Sequence, residues 1–168
     1  GKLYDVLHGA DLSSHNTVQH NRLKECGATF SFVRLDKSYM SHKEALEAAG
    51  MTPLPYIYFP IPKSMRYSYA YDDAATDSPG LTKILTAFEQ VASQSAERTL
   101  AELSQHDAAL NITNLGGLTG KILAVDIEEK LLDEKLSASK HRVAYGRGYA
   151  RALCEWTGAI KRHHPDTV

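Results

Sequence analysis

Apolar positions along the chain fall in short, near-continuous runs, and these alternate with longer stretches in which apolar residues recur at helical spacing. The first run, Leu7-His8-Gly9-Ala10-Asp11-Leu12, reads as a strand, followed by the polar loop Ser13-Ser14-His15-Asn16 and a short helix from Thr17 to Cys26 that stops at Gly27. The β-branched and aromatic run Thr29 to Leu35 is a second strand. Ser41 to Ala49 predicts a helix opened by a capping box, Ser41 with Glu44, and closed at Gly50. A third strand, Leu54 to Phe59, has Pro53 and Pro55 at its start and Pro60 and Pro62 behind it. A Tyr-, Ser- and Asp-containing loop over 63–80 precedes a long helix from Leu81 to about Leu110, patterned on Leu81, Leu85, Phe88, Val91, Leu100 and Leu103. Asn111 to Gly120 reads as a loop, Lys121 to Glu128 as the fourth strand, and Ala138 to His164 as a final helix. The alternation implies an α/β fold, a parallel sheet covered by helices through right-handed crossovers. No repeat or linker divides the 168 residues, so one domain is expected over 1–168.

Composition narrows the function classes. Nineteen basic and 20 acidic residues leave a net charge of −1, so no global basic field favours nucleic acid or an anionic membrane. No apolar run is long enough for a bilayer span, and the N-terminal residues lack a signal-peptide core. Cys26 and Cys154 stand far apart in helical segments and read as small buried hydrophobes instead of a disulfide or metal pair. Gly146 and Gly148 inside the last helix each cost about 1 kcal/mol relative to Ala, which a close helix–sheet approach would offset.

In parallel α/β folds the chemistry gathers at the carboxyl ends of strands. The first strand delivers Asp11, Ser13, Ser14 and His15 there; the second Arg34, Asp36 and Lys37; the third Tyr56 and Tyr58; the fourth Asp126, Glu128 and Glu129. Asp126 and Glu128 stand at i and i+2, on one face of an extended chain and about 6–7 Å apart at Cα. Two carboxylates so close titrate apart, one holding its proton while the other stays charged, which suits glycosidic bond cleavage. The same pair reads equally as a strand end running into a solvated acidic loop, or as oxygen ligands for a divalent cation. The glycines of Leu115-Gly116-Gly117-Leu118-Thr119-Gly120-Lys121 lack phosphate-loop spacing and read as a turn. His163 and His164 fit a solvated helix end, and Arg142, Arg147, Arg151, Lys161 and Arg162 a solvated helix face. Tyr67, Tyr69 and Tyr71 would either pack their loop or stack on sugar.

Gly9-Ala10-Asp11-Leu12-Ser13-Ser14-His15-Asn16 resembles the opening G-[IV]-D-[VL]-S-x-x-[NQ] of the glycoside hydrolase family 25 lysozymes, the Chalaropsis-type muramidases. Phe30 to Leu35 is similar to that family's second strand, Pro55 to Pro60 resembles its G-x-Y-H-F-x-x-P third strand, and Ile122 to Glu128 resembles its P-x-x-L-D-[IVL]-E catalytic strand. The matches are collinear over all four expected strands. The resemblance implies an irregular, TIM-like (β/α) barrel and an enzyme of the lysozyme type. Its activity would be hydrolysis of the β-1,4 bond between N-acetylmuramic acid and N-acetylglucosamine in peptidoglycan. Glu128 would be the general acid, Asp126 would stabilise the reacting centre or orient the N-acetyl group, and Asp11 would be a third carboxylate. Tyr56, Tyr58, His15 and Asp36 would contact the glycan, with no metal and no cofactor.

The chain departs from the family where a K-A-[ST]-E-G-like turn is replaced by Leu35-Asp36-Lys37-Ser38-Tyr39, and in a longer stretch between the third and fourth strands. The family also takes an active-site Asp from a later strand, whereas Asp166-Thr167-Val168 stands where a fifth strand begins. An eight-stranded barrel takes about 250 residues. The expectation is therefore the first four β-α units of a domain truncated at its C-terminus, poorly active alone, or a half-barrel completed in a homodimer. Peptidoglycan or a related polysaccharide is the expected partner, with no nucleic acid and no membrane insertion. The expected location is extracellular or periplasmic. Two other readings stay open: a non-hydrolytic carbohydrate-binding relative on the same scaffold, and a metal-dependent α/β hydrolase using Asp11, Asp126 and Glu128.

Overall fold

The computed structural model describes residues 9–17, 19–59, 78–106, 110–115, 117–127 and 142–168. In chain order the elements are β1 (Gly9–Leu12), α1 (His20–Glu25), β2 (Phe30–Arg34), α2 (Tyr39–Ala48), β3 (Thr52–Tyr58), α3 (Ser78–His106), β4 (Thr113–Leu115), β5 (Leu118–Gly120), β6 (Ala124–Asp126) and α4 (Arg142–His163). Strands β1, β2, β3 and β6 form one four-stranded sheet, all neighbours parallel, in the order β1-β2-β3-β6. The protein is thus of mixed α/β class, as its alternating pattern predicts. It divides into two compact units. One comprises Gly1–Tyr58, Gln105–Asp126 and Thr167–Val168, and the other Phe59–Ser104 and Ile127–Asp166.

The first unit holds the sheet. Register pairs Asp11 with Phe32, Phe32 with Leu54, Arg34 with Tyr56, and Tyr58 with Asp126, so these residues share one face. The opposite face carries Leu12, Ser31, Val33 and Ile57, all buried, and α2 packs against β2 and β3. The buried Ser31 hydroxyl donates to the Ala10 carbonyl at 2.7 Å, tying β2 to β1. Pro53 and Pro55 both lie inside β3, two positions further into the strand than the sequence predicts. They fit because of register. The Thr52 N–H donates to the Thr29 carbonyl, so Thr52, Leu54 and Tyr56 direct their backbone toward β2. The two prolines therefore face the other side, where pairing with β6 starts only at Tyr56. No ladder donor is missing there.

Three local expectations are corrected. Helix α2 begins at Tyr39 after Ser38, so Ser41 lies within its first turn and no capping box forms. The helix start is held instead by Asp36, whose Oδ1 accepts from the Ser38 N–H at 2.8 Å and the Ser38 hydroxyl at 2.6 Å. The expected loop over 111–120 contains an antiparallel hairpin, β4 with β5, turning at Gly117 with φ +93°. Both cysteines are exposed, Cys26 just past α1 and Cys154 on α4. Past β6, Thr167 forms a parallel bridge to Lys121, with the Val168 N–H donating to the Lys121 carbonyl and the Leu123 N–H to the Val168 carbonyl, both at 3.0 Å.

Tyr39 is 1 % exposed and packs on the His106 ring at 5.3 Å between centroids. Burial first, and then the Glu47 charge, push its phenol from 10.0 up to about 12. A phenol whose folded value exceeds its unfolded one contributes stability below pH 10 that is lost as pH rises through 12. Urea unfolding should therefore show the midpoint of the wild type falling between pH 10 and 12, and falling less steeply in Tyr39→Phe, where only the weaker contribution of Tyr56 remains.

The second unit is built on α3 and α4. Phe88, Val91, Ala92, Ser95, Ala96, Thr99 and Leu103 form one buried stripe on α3, and Tyr145, Tyr149, Ala152, Trp156 and Ile160 one on α4. Leu85 and Leu100 are less buried than the stripe; Ala92 and Ala96 carry it in their place. Phe59 meets Tyr149 edge-on at 5.5 Å, and the Tyr149 hydroxyl donates to the Phe59 carbonyl at 3.2 Å. Gly148 is explained by helix–helix contact and not by approach to the sheet, since a Cβ there would overlap the Phe88 ring. Arg151 bridges Glu89 at 2.9 Å and Glu155 at 3.0 Å on the exposed side of α4, in keeping with a solvated face.

Candidate functional site

The strand alternation sends Asp11, Arg34, Tyr56, Tyr58 and Asp126 to the same face of the parallel sheet, toward the carboxyl ends of β1, β2, β3 and β6. Asp11 is exposed and the other four are partly so. Tyr56 stands at the centre. Burial raises its phenol pKa; the Arg34 charge opposes that rise, and Asp11, Asp126 and Asp36 reinforce it. Among the described residues, three carboxylates and one guanidinium from three strand ends thus act on a single hydroxyl, which stays protonated at neutral pH and can donate. Arg34 lies over the Tyr58 ring at 5.9 Å from its centroid.

The first strand's exit loop is a closed turn. Asn16 Oδ1 accepts from the Ser13 N–H at 2.7 Å and the Ser13 hydroxyl at 3.0 Å, and the Asn16 N–H returns to the Ser13 carbonyl at 3.0 Å. Ser13 and Asn16, the serine and the final asparagine of the opening motif, therefore shape the loop. His15 is exposed at its tip. Asp36 spends one oxygen on the start of α2 while its charge still reaches Tyr56, so it orders the loop beside the site as well as loading it electrostatically. Glu128 lies outside the described residues, as do Tyr67, Tyr69 and Tyr71 of the aromatic loop.

The sequence reading did not find His20 and His42. His42 is buried on α2, and its Nε2 meets the Ser13 carbonyl at 3.1 Å. A carbonyl only accepts, so Nε2 donates to it, and His42 Nδ1 is hydrogen-bonded to His20 Nε2 at 3.1 Å. Burial, and then the neighbouring His42, lower the His20 pKa. The pair clamps the exit loop of β1 to α2. Nothing in local spacing signals it, because the partners stand 22 and 29 positions apart.

Among the described residues, no three His, Cys, Asp or Glu side chains gather as a metal-binding group. A cavity of about 430 Å³ lined by Glu47, Met51, Thr52, Pro53 and Asn111 lies by the amino end of β3, opposite the carboxylates. No helix among the described residues is long and apolar enough to cross a membrane. No protein-family model, curated protein or solved structure matches the chain.

Proposed function

We propose that the protein is a peptidoglycan muramidase on a (β/α) barrel scaffold, with Glu128 as general acid and Asp126 and Asp11 assisting. The observation that carries this reading is the convergence of Asp11, Asp126, Tyr56 and Tyr58 on one sheet face at the carboxyl ends of parallel strands. Those are the residues that the family resemblance assigns to catalysis and sugar contact, and the sheet brings them together from three strands.

The strand order supports the barrel part of the reading. Strands join in the order in which they occur in the chain, and Thr167 and Val168 add on the side of β6 away from β3. A doubly wound sheet reverses its order at a switch point, whereas a barrel adds each strand beside the last. A barrel interior at its carboxyl end also accounts for a half-exposed face that mixes carboxylates with aromatic rings.

In the proposed reaction Glu128 protonates the glycosidic oxygen as the bond breaks, the Asp126 carboxylate stabilises the positive charge that develops at the sugar, and water completes the hydrolysis by bonding to the anomeric carbon and returning a proton to the carboxylates of the site. The Tyr56 hydroxyl, held neutral by its surroundings, donates to an oxygen of the glycan, and Tyr58 offers a ring face to the pyranose. The full-length protein should lower the turbidity of purified cell walls, and a chelator should leave the rate unchanged. Clearing that stops with chelator would favour a metal-dependent hydrolase; binding without clearing would favour a non-hydrolytic carbohydrate-binding protein.

A further inference from the structure

We propose that His20 and His42 form an acid-sensitive latch, which holds α1 against α2 while at most one of the two rings is charged and opens when both are. The latch belongs to the fold and does not depend on the glycan reading of the site.

The two rings aim at each other. His20 Nε2 and His42 Nδ1 are 3.1 Å apart and the ring centroids 5.4 Å apart, a difference of about one ring radius at each end. The facing nitrogens therefore lie close to the line joining the rings, with room between them for a single hydrogen. The other nitrogen of His42, Nε2, donates to the Ser13 carbonyl at 3.1 Å. In the neutral pair His20 Nε2–H donates to His42 Nδ1. One added proton sits on His42 Nδ1, which then donates back to His20 Nε2 as His20 takes its Nδ1–H tautomer. A second added proton sets two N–H groups and two positive charges face to face, and the hydrogen bond is lost.

Helix α1 depends on such a tie. None of its six residues is buried, Gln19 gives it no side-chain cap, and its first turn has no acidic residue. A helix so short does not persist on its own. At its other end, Lys24 Nζ donates to the Gly50 carbonyl at 3.2 Å on the exposed surface.

Among the described residues, no carboxylate pairs with either ring. His15 on the exit loop of β1, Arg22, Lys24 and Glu25 on α1, and Lys37 and Glu44 at α2 are all exposed. Lys43 is held by Glu47 at 2.8 Å, and Asp36 by the Ser38 hydroxyl. Asp11, Arg34, Tyr56 and Tyr58 lie on the site face of the sheet. Burial, and then the His42 charge, therefore lower His20 from 6.5 without an opposing carboxylate. A group whose folded value lies below its unfolded one contributes stability above pH 6.5 that is lost as pH falls.

Hydrogen exchange of the full chain, corrected for intrinsic rates, reads the latch. Between about pH 7.5 and about pH 5 the amides of α1 should lose protection roughly tenfold in the wild type, while those of β2 and β3 keep theirs. His20→Gln, which hydrogen-bonds without titrating in this range, should show no such dependence on pH. In a separate NMR titration the His20 ring should titrate below 6.5 and move upward in His42→Gln. Protection of α1 that is independent of pH in the wild type, an equal loss in His20→Gln, a loss shared by β2 and β3, or a His20 titration unmoved by His42→Gln overturns the proposal. Each of these results leaves the hydrolytic reading to the cell-wall clearing assay.

Discussion

Glu128→Gln should reduce the rate of cell-wall clearing by roughly 10²–10⁴-fold, the usual contribution of a positioned general acid, while saccharide binding stays within about twofold of the wild type. The substitution keeps the size and the hydrogen-bonding reach of the side chain but removes the proton that the leaving oxygen needs. The expectation rests on position. Asp126 ends β6 on the face shared with Asp11 and Tyr56, and Glu128 stands two positions later in the sequence, outside the described residues. Initial rates on purified cell walls, paired with binding of N-acetylglucosaminyl-β-1,4-N-acetylmuramic acid, separate loss of chemistry from loss of affinity. Equal clearing by wild type and Glu128→Gln would remove Glu128 from the role.

Trp156→Ala should destabilise the protein by about 3–5 kcal/mol, a large fraction of the stability of an ordinary domain. Trp156 is 4 % exposed on α4, meets Phe59 edge-on at 6.1 Å, and donates its indole N–H to the Thr99 hydroxyl on α3 at 3.2 Å. Truncation empties the largest side-chain volume in that stripe and strips the Thr99 hydroxyl of its donor. Trp156→Phe keeps most of the ring contact and loses the hydrogen bond, so it should cost about 1–3 kcal/mol. Urea unfolding measures both. A loss below about 1 kcal/mol for the alanine variant would mean that the α3–α4 contact does not hold this unit together.

The parts legible in the sequence are those set by local periodicity. Runs such as Phe30-Ser31-Phe32-Val33-Arg34 fold as strands because β-branched and aromatic residues fit a pleated surface, and the alternation of runs with amphipathic stretches gives a parallel sheet. The two-residue period of a strand also made the shared face of Asp11, Tyr56, Tyr58 and Asp126 accessible once register was known. Contacts between distant residues were not legible. The His20–His42 clamp, the bridge from Thr167 to Lys121 and the Phe88–Gly148 contact each depend on how elements meet, which no window of sequence encodes. Local competition explains the false capping box, for Asp36 reaches Ser38 through an Asx-type turn and starts α2 two residues before Ser41. The exposure of Cys26 and Cys154 shows the weakness of residue type alone as a guide to burial.

The bond that is cut tests the account most directly. Purified peptidoglycan should be incubated with the full-length protein, the soluble products reduced with borohydride, and the reduced sugar identified by mass spectrometry. Reduced N-acetylmuramic acid is expected at the new chain ends, with no release of free amino groups from the peptide stems. Reduced N-acetylglucosamine, free amino groups, or no soluble product at all would contradict it.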